Sequence, residues 1–133
     1  MPHMKRLIIP ISLLIICISF SLSISAQTKV RVKFAKGASS IALKGKVIGY
    51  KYIDYLVRAK SGQTMSVSLD STNAGCSFVI FYSDMNNVDE ATDVTNFTRN
   101  VDVDDDYIIR VLLPRSAARR KESAAYTLNI GIE

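Results

Sequence analysis

The chain has 133 residues, with 17 Lys and Arg against 12 Asp and Glu, one His, two Cys and no Trp. That length suits one domain. His3 and Cys17 both fall in an N-terminal stretch that reads as a leader, so the remainder can build neither a His-based triad nor a His/Cys zinc site within one chain, and it can form no internal disulfide.

The leader starts positively at Met4-Lys5-Arg6, carries no charge from Leu7 to Gln27, and ends in the small residues Ser23, Ser25 and Ala26. This predicts a signal peptide over residues 1–26. About 20 apolar residues also suffice for a membrane anchor, but Pro10, the serines and the small terminal residues favour cleavage. Ile15-Ile16 ahead of Cys17 lacks the small residues of a lipoprotein site. The expected product is residues 27–133, periplasmic or secreted, with no stable membrane anchor.

Period-two alternation dominates this region. Val30, Val32 and Phe34 share one face of a strand opposite Lys29, Arg31 and Lys33. After the turn Gly37–Ser40, Ile41, Leu43 and Val47 continue in strand style, with Gly45 expected as a bulge. Ile53, Tyr55, Val57 and Ala59 alternate next, and Lys60–Gln63 reads as a hairpin turn leading to Met65, Val67 and Leu69. The continuous apolar run Phe78–Tyr82 predicts a central strand. Residues 83–96 predict a loop, and Phe97–Val103 a further strand. Tyr107, Ile109, Val111 and Leu113 alternate, Pro114–Ser123 reads as a basic loop, and Tyr126, Leu128, Ile130 and Ile132 close the chain. About eight short strands and no convincing amphipathic helix predict an all-β, antiparallel β-sandwich in a single domain.

Charge is segregated along the chain. Residues 27–60 hold nine cations and one anion, residues 61–106 one cation and nine anions, and residues 107–133 five cations and two anions. The modest net charge and the acidic middle speak against nucleic acid as a partner. Asp102–Asp106 lacks calcium-loop spacing and reads as a solvated turn. Cys76, with no His to act as its base, reads as a small buried hydrophobe. The residues suggest no cofactor and no metal site.

Two features stand out as contact candidates. Gly49–Tyr55 holds three tyrosines, and tyrosine is a favoured interface anchor. Pro114–Lys121 holds four cations separated by small residues, and the arginine fork matches carboxylates and phosphates.

The region resembles the periplasmic inhibitors of goose-type (g-type) lysozyme. The resemblance rests on Val32–Ser40, on Gly49–Tyr55 with Ala59–Gln63, and on Arg110-Val111-Leu112 leading to Arg115, Ala118-Arg119 and Tyr126. It implies a small β-sandwich without enzymatic activity that inserts loop side chains into a lysozyme's glycan cleft, with Tyr50, Arg115 and Arg119 as contacts and Tyr52 and Arg120 as accessory contacts. One stretch departs: Asp104-Asp105-Asp106-Tyr107 stands where such inhibitors often show Ser-Gly-x-Tyr. Three carboxylates would be poor company for an acidic cleft. The alternative is a secreted β-sandwich module that binds a glycan or an envelope protein and leaves lysozyme alone.

Overall fold

Alternating polarity becomes two faces only when two sheets stack, and in the computed structural model of this protein they do. It describes residues 28–133, so the leader predicted over residues 1–26 lies outside the described residues. The strands are β1 (Thr28–Arg31), β2 (Ser40–Ile48), β3 (Ile53–Ala59), β4 (Thr64–Ser71), β5 (Ser77–Phe81), β6 (Asn96–Asn100), β7 (Asp105–Leu112) and β8 (Ser123–Ile132), with one short helix, α1 (Arg115–Arg119), before β8. They form two four-stranded sheets of order β1-β3-β7-β5 and β2-β8-β4-β6. The expected β-sandwich is therefore present.

The inner faces are the alternating residues read from the sequence. Tyr55, Val57, Phe78, Ile80, Tyr107, Ile109 and Val111 of the first sheet are buried in one cluster with Val47, Met65, Val67, Leu69, Tyr126, Leu128 and Ile130 of the second. The sheets also meet through a buried hydrogen bond, 2.6 Å between the hydroxyls of Tyr55 and Tyr126. Burial raises the pKa of both phenols, so this pair stays neutral.

Four local expectations differ. β1 runs parallel to β3, with Val30 opposite Tyr55, so the fold is not wholly antiparallel. A strand's own pattern encodes its faces, not the direction of its neighbour. β5 lies at the end of its sheet rather than in its middle, and its apolar run is explained by residues 87–94 folding over that edge, with bridges Phe78–Val94 and Phe81–Asn87. The stretch before β8 is not all loop, because Arg115–Arg119 is helical. Gly45 makes no bulge: β2 pairs with β8 without interruption, and Gly45 faces Tyr126. Glycine is needed there for space. A Cβ would stand 2.6 Å from Cζ of Tyr126 and 3.0 Å from the Tyr55 hydroxyl, and the hydrogen-bonded phenols have little room to retreat.

Gly45→Ala is therefore expected to destabilise by about 1–3 kcal/mol through overpacking, read as a lower urea midpoint. Removing the nearest atom with Tyr126→Phe should recover part of that loss in the double variant. If Gly45→Ala is as stable as the parent, the close approach is not a constraint.

Candidate functional site

β7 ends at Leu112, and Pro114 redirects the chain with φ −66° and ψ 158°. The first helical bond runs from the Ala118 N–H to the Pro114 carbonyl at 2.9 Å. Ala117 and Ala118 are buried, so they anchor α1 to the sandwich instead of merely leaving space in a loop. That fixes which side of the helix faces outward. Arg115 and Arg119, four residues apart, project from one exposed face about 6 Å apart along the axis. Among the described residues, neither has a carboxylate within ion-pair distance.

The helix ends in a Schellman turn without glycine. The Lys121 N–H bonds the Ala118 carbonyl at 3.0 Å and the Glu122 N–H bonds the Ala117 carbonyl at 3.1 Å, with Lys121 at φ 56° in the left-handed position. Against this end lies the turn Ile48–Lys51, closed by a 3.1 Å bond from the Lys51 N–H to the Ile48 carbonyl. Gly49, at φ 60°, donates its N–H to the Glu122 carbonyl at 2.9 Å, and a Cβ there would sit 3.7 Å from the Ala118 carbonyl oxygen. Tyr50 is the next residue and is 66% exposed. The structure thus brings Tyr50, Arg119 and Arg115 to one end of the sandwich, although residues 50 and 115 are far apart in sequence.

Tyr52 and Arg120 are placed differently. Tyr52 lies under the Arg110 guanidinium, 4.0 Å from its ring centroid, and Arg110 makes a two-pronged pair with Asp54 at 2.8 and 3.0 Å. Arg120 donates Nε–H to Glu122 at 2.6 Å. The other Glu122 oxygen accepts from the Asn73 side-chain amide at 3.0 Å. The Asn73 amide and the Arg120 guanidinium together hold the Glu122 carboxyl below the ordinary carboxylate range.

Sequence reasoning passed over Ile48, Asp54, Asn73, Arg110 and Glu122. Ile48 is 47% exposed and immediately precedes the tyrosine turn. The alternation of Ile41, Leu43 and Val47 already puts Ile48 on the outward face, but its apolar side chain does not mark it as a surface residue. Asp54 and Arg110, and Asn73 and Glu122, find each other across separations that no local motif records. Cys76 is buried, as expected, and burial pushes its thiol pKa up.

The departure at Asp104–Asp106 is resolved by topology. Asp104 precedes β7, which carries Asp105 and Asp106 at its start and leads to α1 at its end, so the three acids stand at the opposite end of the sandwich, about 20 Å or more away along the strand. Each carboxylate has a local task. Asp104 accepts from the Ser61 N–H at 2.7 Å, Asp105 from the Ser83 N–H at 3.0 Å, and Asp106 pairs with Arg31 at 3.0 Å. The basic blocks of the sequence do not gather at one end: Arg31 and Arg58 lie beside Asp106, while Arg115 and Arg119 stand at the other end of β7. A groove of about 570 Å³ lies elsewhere, on the outer face of the second sheet among Ser66, Ser68, Thr98 and Asn129.

Burial alone would raise the Asp105 pKa, but the hydroxyl and N–H of Ser83 and the Asp106 N–H outweigh it and hold it below the ordinary 3.8. A carboxyl depressed in the folded state contributes stability above its unfolded pKa and loses it as pH falls through the folded one. Asp105→Asn is expected to make the urea midpoint fall less steeply below about pH 4. An unchanged slope would mean that these bonds do not favour the charged form.

No family model matches the chain. It is 30% identical over 130 residues to the inhibitor of g-type lysozyme of Escherichia coli strain K12, with 92% of this chain and 94% of that one covered. Among solved structures it is similar to the periplasmic lysozyme inhibitor of g-type lysozyme from Aeromonas hydrophila, with 32% identity, a TM-score of 0.71, and 80% of this chain and 96% of that one covered. It is also similar to the corresponding inhibitor of Salmonella Typhimurium, with 28% identity, a TM-score of 0.65, and coverage of 81% and 100%.

Proposed function

The chain belongs to the family of g-type lysozyme inhibitors, and we propose that it acts in the periplasm by presenting the α1 end of the sandwich to a g-type lysozyme, Arg115 and Arg119 entering the glycan cleft with Tyr50 packed beside them. The relatives are named as inhibitors, not enzymes. Residues 1–26 would export the chain and be removed.

The observation that carries this reading is the pair of guanidiniums one turn apart on a helix that is anchored from below. Like charges at this spacing repel by about 0.2–0.5 kcal/mol, and an anionic partner turns that cost into attraction. A lysozyme cleaves glycan with carboxyl groups, so its cleft supplies such a partner. Guanidiniums bind carboxylates through two parallel hydrogen bonds, which adds geometric selection to charge. Tyr50 adds apolar area with a polar tip. Tyr52 is engaged by Arg110, and the exposed Arg120 by Glu122, so both border this surface as accessory residues.

Arg115 and Arg119, free of carboxylate partners among the described residues, favour approach of this end to an acidic cleft, which raises the association rate at low salt. The glycan-binding alternative draws on the groove lined by hydroxyls and amides.

Titration of the purified protein into a g-type lysozyme acting on bacterial cell walls tests the proposal. Inhibition at or below micromolar concentration is expected. Absence of inhibition, together with retention on an immobilised glycan, would establish the alternative.

A further inference from the structure

Glu122 makes four contacts to three segments at the α1 end. Its N–H closes the helix on the Ala117 carbonyl at 3.1 Å, and its carbonyl accepts from Gly49 of the tyrosine turn at 2.9 Å. One carboxylate oxygen takes the Asn73 amide of the β4–β5 loop at 3.0 Å, and the other takes Arg120 Nε–H at 2.6 Å. Asn73 in turn donates to the Ser123 carbonyl at 3.3 Å and accepts from the Gly75 N–H at 2.9 Å, so the β4–β5 loop is braced by the same contact.

We infer that Glu122 is a positioning residue for lysozyme binding: its carboxylate ties the β4–β5 loop to the α1 end, where its backbone already holds the tyrosine turn, and keeps Arg120 as a counter-ion rather than a contact. The inference rests on the proposed use of Arg115, Arg119 and Tyr50. The physical basis is the cost of ordering. A surface whose loops are already fixed loses little conformational freedom on binding, whereas a loosened one must be ordered by the partner, at the expense of affinity. The device also compensates a local weakness. Lys121 occupies a left-handed position that glycine usually fills, so the helix end needs the support that Glu122, the next residue, supplies.

The role separates from a direct contact in a double-mutant cycle. Glu122→Ala is expected to raise the inhibition constant about tenfold, by loosening the β4–β5 loop from the α1 end. Glu122→Gln, which retains an oxygen for Asn73 but loses the charge pair with Arg120, should give about a threefold rise. Arg120→Ala should weaken inhibition in the parent but add nothing to Glu122→Ala, because its effect passes through the carboxylate. Amide exchange at Asn73 and Gly75 should accelerate in Glu122→Ala while core amides of β7 and β8 keep their protection.

Two results would overturn the inference. One is parent-like inhibition by Glu122→Ala and Glu122→Gln while Arg115→Ala remains impaired; the proposed contacts would then stand and the positioning role would fall. The other is an undiminished Arg120→Ala loss in the Glu122→Ala background, which would make Arg120 a contact in its own right. Parent-like inhibition by Arg115→Ala as well would instead bring down the proposed contact surface itself. If Glu122→Ala does not fold, Glu122→Gln carries the test alone.

Discussion

Arg115→Ala is expected to weaken inhibition of a g-type lysozyme by about 2–5 kcal/mol, the range for removing one partner of a charge pair buried across an interface. Arg115 opens α1 directly after Pro114, so its backbone is set by the end of β7 rather than by a flexible tether. It stands on the exposed face with Arg119, and among the described residues it has no carboxylate to leave before it binds. Its attraction to an acidic cleft is therefore not offset by the breaking of an existing pair. Arg115→Lys keeps the charge but loses the planar fork, so it should fall between parent and alanine variant. Arg119→Ala should rank next, at a smaller loss. Arg58→Ala is the control, since Arg58 stands at the other end of β7 from α1, 3.9 Å from Asp106. An inhibition series at low and moderate salt checks these outcomes, with salt affecting the association rate most. Parent-like inhibition by Arg115→Ala would show that the enzyme meets another surface.

How much of this surface the sequence discloses depends on the range of the signal. Alternation in Lys29–Phe34 and Tyr107–Leu113 is local, and it correctly sorts core from solvent because each strand is half-buried. The two arginines are legible as candidates because basic residues cluster after a proline. Their geometry is not legible. Arg115–Arg119 is too short to show helical periodicity, and Lys121 hides the helix stop that a glycine would announce. Gly45 shows the same limit from the other side. A glycine within a strand pattern suggests a bulge, and only Tyr126 across the ladder reveals that it is there for space. The acidic turn misleads until the fold separates it from the α1 end by the length of β7.

The largest effect on stability is expected at Asp54. It is the one buried charged residue among those described, with a side chain 3% exposed beside an Arg110 side chain 19% exposed. Their positions face each other in the β3–β7 register, which sets up the two-pronged contact. Arg110 is further enclosed by Tyr52 at 4.0 Å and Phe81 at 5.1 Å from its guanidinium carbon. A guanidinium is too strong a base for Arg110 to relieve the loss of its partner by deprotonating. Asp54→Ala then leaves a half-buried cation facing aromatic rings alone, at an expected cost of about 3–5 kcal/mol. Denaturant unfolding should show a lower midpoint with little dependence on salt, because a buried pair is poorly screened. Replacing both members, as Asp54→Leu with Arg110→Met, should restore most of the stability, since neither charge then needs compensation. The two variants should part in function. Without the guanidinium above it, Tyr52 loses the cation–π contact that fixes the entry to β3, two residues after Tyr50. The double variant is thus expected to fold well yet inhibit less than the parent. If it inhibits fully, the Arg110 stack serves stability alone and the tyrosine turn is held entirely by its bond to Glu122.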